Sequence, residues 1–132
     1  MSVLSRETRS CLSQFTVGCD DGLSARFAFP AEFSGFKGHF PGDPVLPAVC
    51  MVQAVVVMVE AWRQAPVKVR SIMSAKWFSP VRPGTELRFE STVRQDGDQG
   101  SVVKTRITSG VDKIAELTLR VSCPVLGEED HQ

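Results

Sequence analysis

The sequence predicts an α+β fold in which an antiparallel sheet of five or six strands encloses one long helix. Strict alternation runs through Leu23, Ala25, Phe27 and Phe29, through Leu87, Phe89, Ser91 and Val93, and through Ala115, Leu117, Leu119 and Val121. That is the period of a half-buried strand. Turn chemistry separates the later runs, at Gln95-Asp96-Gly97-Asp98-Gln99-Gly100 and Ser109-Gly110-Val111-Asp112. Between the first run and the rest lies an apolar segment, Ala48 through Val59, whose single polar side chain is Gln53.

In chain order, the first strand spans Leu23 to Phe29. The segment from Pro47 to Gln64 reads both ways: its many valines favour a strand, and its length of 16 to 18 residues favours a helix. Length decides for the helix. Pro47 suits a first helical turn, and Glu60 and Arg63 polarise the far end. A helix apolar on nearly every face is either wrapped by a sheet or embedded in lipid. Gln53 lies inside it, and Ala54 to Val59 is far short of the roughly 20 residues a bilayer requires, so it is read as the core of the domain. Val67 to Phe78 reads as one further long strand, closed by Pro80-Val81-Arg82-Pro83-Gly84. Thr85 to Val93, Gly100 to Thr108 and Asp112 to Val121 then form an antiparallel meander. Residues 1–126 are expected to be a single domain and residues 127–132, Gly127-Glu128-Glu129-Asp130-His131-Gln132, an acidic disordered tail.

A chain of 132 residues suffices for one core burying roughly 65 to 70% of its unfolded surface. The formal net charge is zero and no basic block is interleaved with aromatics, which argues against nucleic acid as a partner. The first residues mix charges and lack the apolar stretch of an export signal, so a cytoplasmic location is expected, with no membrane attachment. Cys11, Cys19, Cys50 and Cys123 form no CxxC pair, and no histidine stands at metal spacing; no metal site is expected. These thiols read as small, inert side chains. Cys50 is the exception to watch, because first-turn amides favour a thiolate, although no third group is evident to orient a nucleophile.

One imidazole, His39, sits in a loop stiffened by prolines: Gly38-His39-Phe40-Pro41-Gly42-Asp43-Pro44-Val45-Leu46-Pro47. The helix that follows starts with amides at Ala48, Val49 and Cys50 that have no intrahelical partner and suit an enolate-like oxygen. Charge is uneven: Arg63, Lys68, Arg70, Lys76, Arg82, Arg88 and Arg94 stand against Glu86 and Glu90 between positions 63 and 94. Glu60 is expected to pair with Arg63 or to stay in solvent.

The loop from Gly38 to Pro47, supported by Ala75-Lys76-Trp77-Phe78-Ser79-Pro80-Val81-Arg82-Pro83-Gly84, resembles the β-hydroxyacyl-acyl carrier protein dehydratases of the hotdog fold. With the strand order, the resemblance covers roughly residues 23–121. It implies that His39 acts on the α-carbon proton of the substrate. It also implies an acidic side chain fourteen residues later, contributed by a neighbouring protomer, that handles the leaving hydroxyl. Position 53 holds glutamine, which cannot donate a proton as a carboxylic acid does. Loss of a general acid typically costs about 10²- to 10⁴-fold, so Gln53 implies a slow, altered or absent dehydration. Ala48 stands where the family usually has glycine; it keeps the amide that faces the thioester carbonyl and adds a methyl group.

The resemblance therefore implies a (3R)-hydroxyacyl-acyl carrier protein dehydratase-like protein making trans-2-enoyl thioesters in fatty acid or polyketide-type synthesis, a hydro-lyase with no cofactor and no metal. His39 and Gln53 would be its catalytic positions, Pro47, Ala48 and Val49 would meet the substrate, and Lys76 and Arg82 would dock an acidic acyl carrier protein. The family's acyl chain runs between the central helices of a dimer, which suits Met51, Val55, Met58 and Val59. A homodimer or higher homo-oligomer is expected. Two alternatives stay open: a non-catalytic acyl-binding subunit paired as a heterodimer with an active sister dehydratase, and a thioesterase of the same fold.

Overall fold

The structure, a computed structural model, describes residues 3–18, 20, 22–37 and 44–122. His39, Cys19, Cys123 and the acidic tail lie outside the described residues. In chain order the elements are α1 (Val3–Ser10), β1 (Leu12–Val17), β2 (Gly22–Ala28), α2 (Ala48–Arg63), β3 (Lys68–Trp77), β4 (Glu86–Gln95), β5 (Ser101–Ser109) and β6 (Asp112–Ser122), with short 3₁₀ turns at Ser34–Phe36 and Gly97–Gln99. All six strands join one antiparallel sheet in the order β1-β2-β4-β5-β6-β3.

The alternating runs become β2, β4 and β6 as expected, with Leu23, Ala25 and Phe27 buried on β2 and Leu87, Phe89, Ser91 and Val93 on β4. Helix wins over strand in the valine-rich segment, because eight of its side chains, from Cys50 and Met51 to the run Ala54–Val59, find burial in the core. The helix begins at Pro47, whose extended backbone (φ −65°, ψ 150°) sets the entry. It stops at Gln64, which turns left-handed (φ 57°) and returns its N–H to the Glu60 carbonyl at 2.7 Å.

The 16 residues of α2 rise about 24 Å. The helix packs on β1, β2 and α1, while the core fills around it with the ring chain Phe36, Phe33, Phe29, Phe27 and Phe89, successive centroids 4.8 to 6.1 Å apart. Gly35 sits against this start: a Cβ there would lie 2.5 Å from the Phe33 ring and 2.7 Å from Cys50 Sγ.

Two elements are additions to the expected layout. Helix α1 is short and polar, and it docks through hydrogen bonds of Ser5 and Arg9 to α2 together with Leu4, which packs against the core. Strand β1 breaks its pairing with β2 between Ser13 and Thr16, where Gln14 has φ 51°, so its side chains do not alternate with period two. Strand β3 forms where one further long strand is expected, and all ten of its residues are exposed.

Candidate active site

The start of α2 is pinned from two sides. Leu46 donates its N–H to the Val81 carbonyl at 2.8 Å, which ties the residues before the helix to the Pro80–Gly84 turn. Gly84 N–H in turn reaches the Phe29 carbonyl at 2.8 Å. Beyond β3, the amides of Phe78 and Ser79 both aim at the Ile114 carbonyl. These bonds hold a cleft of about 320 Å³ between Val45, Leu46, Ala48 and Met51 on one wall and Trp77, Phe78, Ser79 and Pro80 on the other. Its mouth carries two half-exposed aromatic side chains, Trp77 and Phe78, and Lys113 Nζ stands 5.7 Å from the Phe78 ring centre. Lys76 and Arg82 are both exposed beside it.

Of the three first-turn amides, Cys50 N–H already reaches the Pro47 carbonyl at 3.0 Å, which corrects the expectation that it is unpartnered. Ala48 and Val49 remain as the amides at the positive end of the helix, and both residues are exposed. Cys50 itself is sealed at 1% exposure and burial pushes its thiol pKa up, the opposite of an activated nucleophile. Cys11 is likewise raised, first by burial and then by the Glu7 charge. Among the described residues no group of His, Cys, Asp and Glu gathers to hold a metal ion. No described helix is long and apolar enough to cross a membrane.

Gln53 does not share the cleft with Ala48. Five residues along an α-helix turn the side chain by about 140°, so Gln53 lies on the face of Val49, Val52 and Val56, while Ala48 and Met51 face the cleft. It is half-buried, and its Nε2 donates to Ser5 Oγ on α1 at 3.0 Å. Ser5 is the site neighbour that sequence reasoning missed; a contact between positions 48 apart leaves no local pattern. Glu60 also departs from expectation: it binds Arg9 at 2.8 Å and the Val67 N–H at 3.0 Å, not Arg63. Of the four residues expected to face an acyl tunnel, Val55, Met58 and Val59 are sealed in the chain's own core, and only Met51 reaches the cleft. They belong to the core that α2 shares with the sheet.

One long helix wrapped by an antiparallel sheet of six strands defines the hotdog fold. The structure is similar to a chain of the dehydratase heterocomplex ApeI:P from Xenorhabdus doucetiae, with a TM-score of 0.71 at 18% identity, covering 86% of this chain and 96% of that one. Residues 18–116 match the family model for the ApeI dehydratase, and the chain belongs to the ApeI-like dehydratase family, a family of hydro-lyases. It is 32% identical over 98 residues to the 3-hydroxyacyl-acyl-carrier-protein dehydratase FabZ of Lactobacillus helveticus, spanning 67% of this chain and 66% of that relative. It is also 32% identical over 114 residues to the FabZ of a Wolbachia species, spanning 78% of each.

Proposed function

We propose that this chain, as an oligomer, removes water from 3-hydroxyacyl thioesters carried on an acyl carrier protein and releases trans-2-enoyl thioesters. The observation that carries this reading is the divergence within α2: the side chain of Ala48, which lines the cleft, and that of Gln53 project about 140° apart around the helix. One chain thus offers two halves of two different sites. A second protomer completes each of them, as the family resemblance implies for position 53. Strand β3 supports the oligomer, since an edge strand exposed on both faces and carrying Val69, Ile72, Met73 and Trp77 suits burial against another chain.

In this reading the Ala48 and Val49 amides hold the thioester carbonyl oxygen as negative charge builds on it. Pro47 fixes their direction. His39 takes the proton from the α-carbon. Gln53 of the partner subunit has no acidic proton to add, so the proton taken by His39 is the one returned to the β-hydroxyl as the C–O bond breaks. Water leaves and the imidazole is neutral again. Lys76 and Arg82, with Lys113 close by, give the mouth a positive rim that suits an acidic carrier protein in the cytoplasm.

Gln53 and Ala48 together favour a second reading, a subunit that needs a sister dehydratase to supply a carboxylic acid. The family match gives no support to the thioesterase alternative. The test is water loss followed by mass on a 3-hydroxyacyl thioester of acyl carrier protein, with the native chain, His39→Ala and Gln53→Glu. We expect native turnover that falls at least about 100-fold in His39→Ala. Silence relieved only by Gln53→Glu or by a sister subunit would establish the second reading, and release of free acid and free thiol would overturn both.

A further inference from the structure

Gln53 is held through one end of its amide, which leaves the other end to face away from α1. Its Nε2 donates to Ser5 Oγ at 3.0 Å. Ser5 belongs to a helix that is itself locked in place: Arg9 binds Glu60 at 2.8 Å, the Glu7 carboxylate accepts the Ser34 N–H at 3.0 Å, and Thr8 is fully buried with its hydroxyl on the Leu4 carbonyl. With the amide nitrogen facing α1, the carbonyl oxygen Oε1 is turned away from it. We propose that Ser5 is a positioning residue that makes Gln53 a hydrogen-bond acceptor toward the substrate's β-hydroxyl.

This inference rests on the reading of Gln53 given above and deepens it. If the proton for the leaving hydroxyl comes from the imidazolium, the hydroxyl must turn a lone pair toward His39 and send its own hydrogen elsewhere. Oε1 accepts that hydrogen. An NH₂ group in the same place would donate to the hydroxyl oxygen and compete with the imidazolium for it. A free glutamine also samples many rotamers, and the bond to a locked helix removes that freedom before substrate arrives. The device requires an acceptor at position 5 more than any particular bulk there.

The experiment is a double-mutant cycle on the oligomer that turns over, with the 3-hydroxyacyl thioester assay as readout. Ser5→Ala is expected to lower kcat about fivefold with KM unchanged, the size of one neutral hydrogen bond. Ser5→Thr, which keeps the hydroxyl, is expected to restore kcat, and in a Gln53→Ala background Ser5→Ala is expected to cost nothing further. The same fivefold loss in that background would show that Ser5 acts through folding alone and would overturn the proposal. So would an unchanged kcat in Ser5→Ala when Gln53→Ala is slow. An unchanged kcat in Gln53→Ala would instead remove Gln53 from the reaction, and the role of Ser5 with it.

Discussion

The two edges of the sheet are built to opposite purposes. At β1 the edge is six residues long, interrupted by a bulge at Gln14, and exposes Ser13, Gln14 and Thr16 with one large apolar side chain, Val17. At β3 the edge is ten residues long and shows Val69, Ile72, Met73 and Trp77 to solvent, with neither face covered by the chain's own helices. Short, bulged and polar edges resist pairing with another chain, whereas long apolar ones invite it. The contrast teaches that the strand nearest the cleft is unfinished in one copy of the chain, as the proposed oligomer requires.

The strongest way to break the contrast is to charge the long edge. Ile72→Lys with Met73→Lys is expected to turn the oligomer into monomer in sedimentation velocity and to remove turnover by more than about 100-fold, because each cleft then lacks its partner's Gln53. The matched change at the short edge, Thr16→Lys, is expected to leave both the oligomer and the unfolding free energy within about 0.5 kcal/mol of native.

Between the edges the sheet tolerates little. Gly100 has φ 90°, and a Cβ there would lie 2.3 Å from the Val121 carbonyl oxygen of β6, a backbone atom that has no freedom to retreat. Gly100→Ala is expected to destabilise the fold by about 3 kcal/mol, read as a lowered denaturant midpoint with the oligomer interface intact. A smaller effect is expected at the rim: Arg82→Glu should raise KM for the acyl carrier protein several-fold at low salt, with kcat little altered and the difference shrinking as salt rises. The smallest concerns α1. Hydrogen bonds from Ser34, first of the causes, hold the Glu7 carboxyl below its ordinary value of 4.5. A lowered folded-state pKa stabilises above the unfolded value and is lost as pH falls through the folded one. Docking of α1 is therefore expected to be independent of pH near neutrality and to loosen only in acid, once pH falls through the lowered carboxyl range, seen as faster amide exchange at Thr8 and Cys11, with Glu7→Gln already loosened at neutral pH.

Legibility followed periodicity. β2, β4 and β6 were readable because one face of each is buried and the other solvated, and α2 was readable because its length exceeds any strand. β1 was not, since the left-handed Gln14 breaks the period its apolar residues would otherwise show. α1 was not, because it is held by Ser5, Glu7 and Arg9 to partners far away in sequence. The count of fourteen from His39 singled out Gln53, and no pattern in the chain could announce its hydrogen bond to Ser5. The apolar stripe of α2 misled as to direction: apolar character says that a side chain is buried and is silent on which chain buries it.

The long helix also constrains how proteins of this shape can diverge. Because α2 is packed against α1, β1 and β2, one residue inserted between Ala48 and Gln53 would swing position 53 by about 100° away from Ser5 and displace the end that leads into β3. A change of side chain at position 53 costs no such displacement. Spacing along this helix is therefore harder to alter than the side chain carried at position 53.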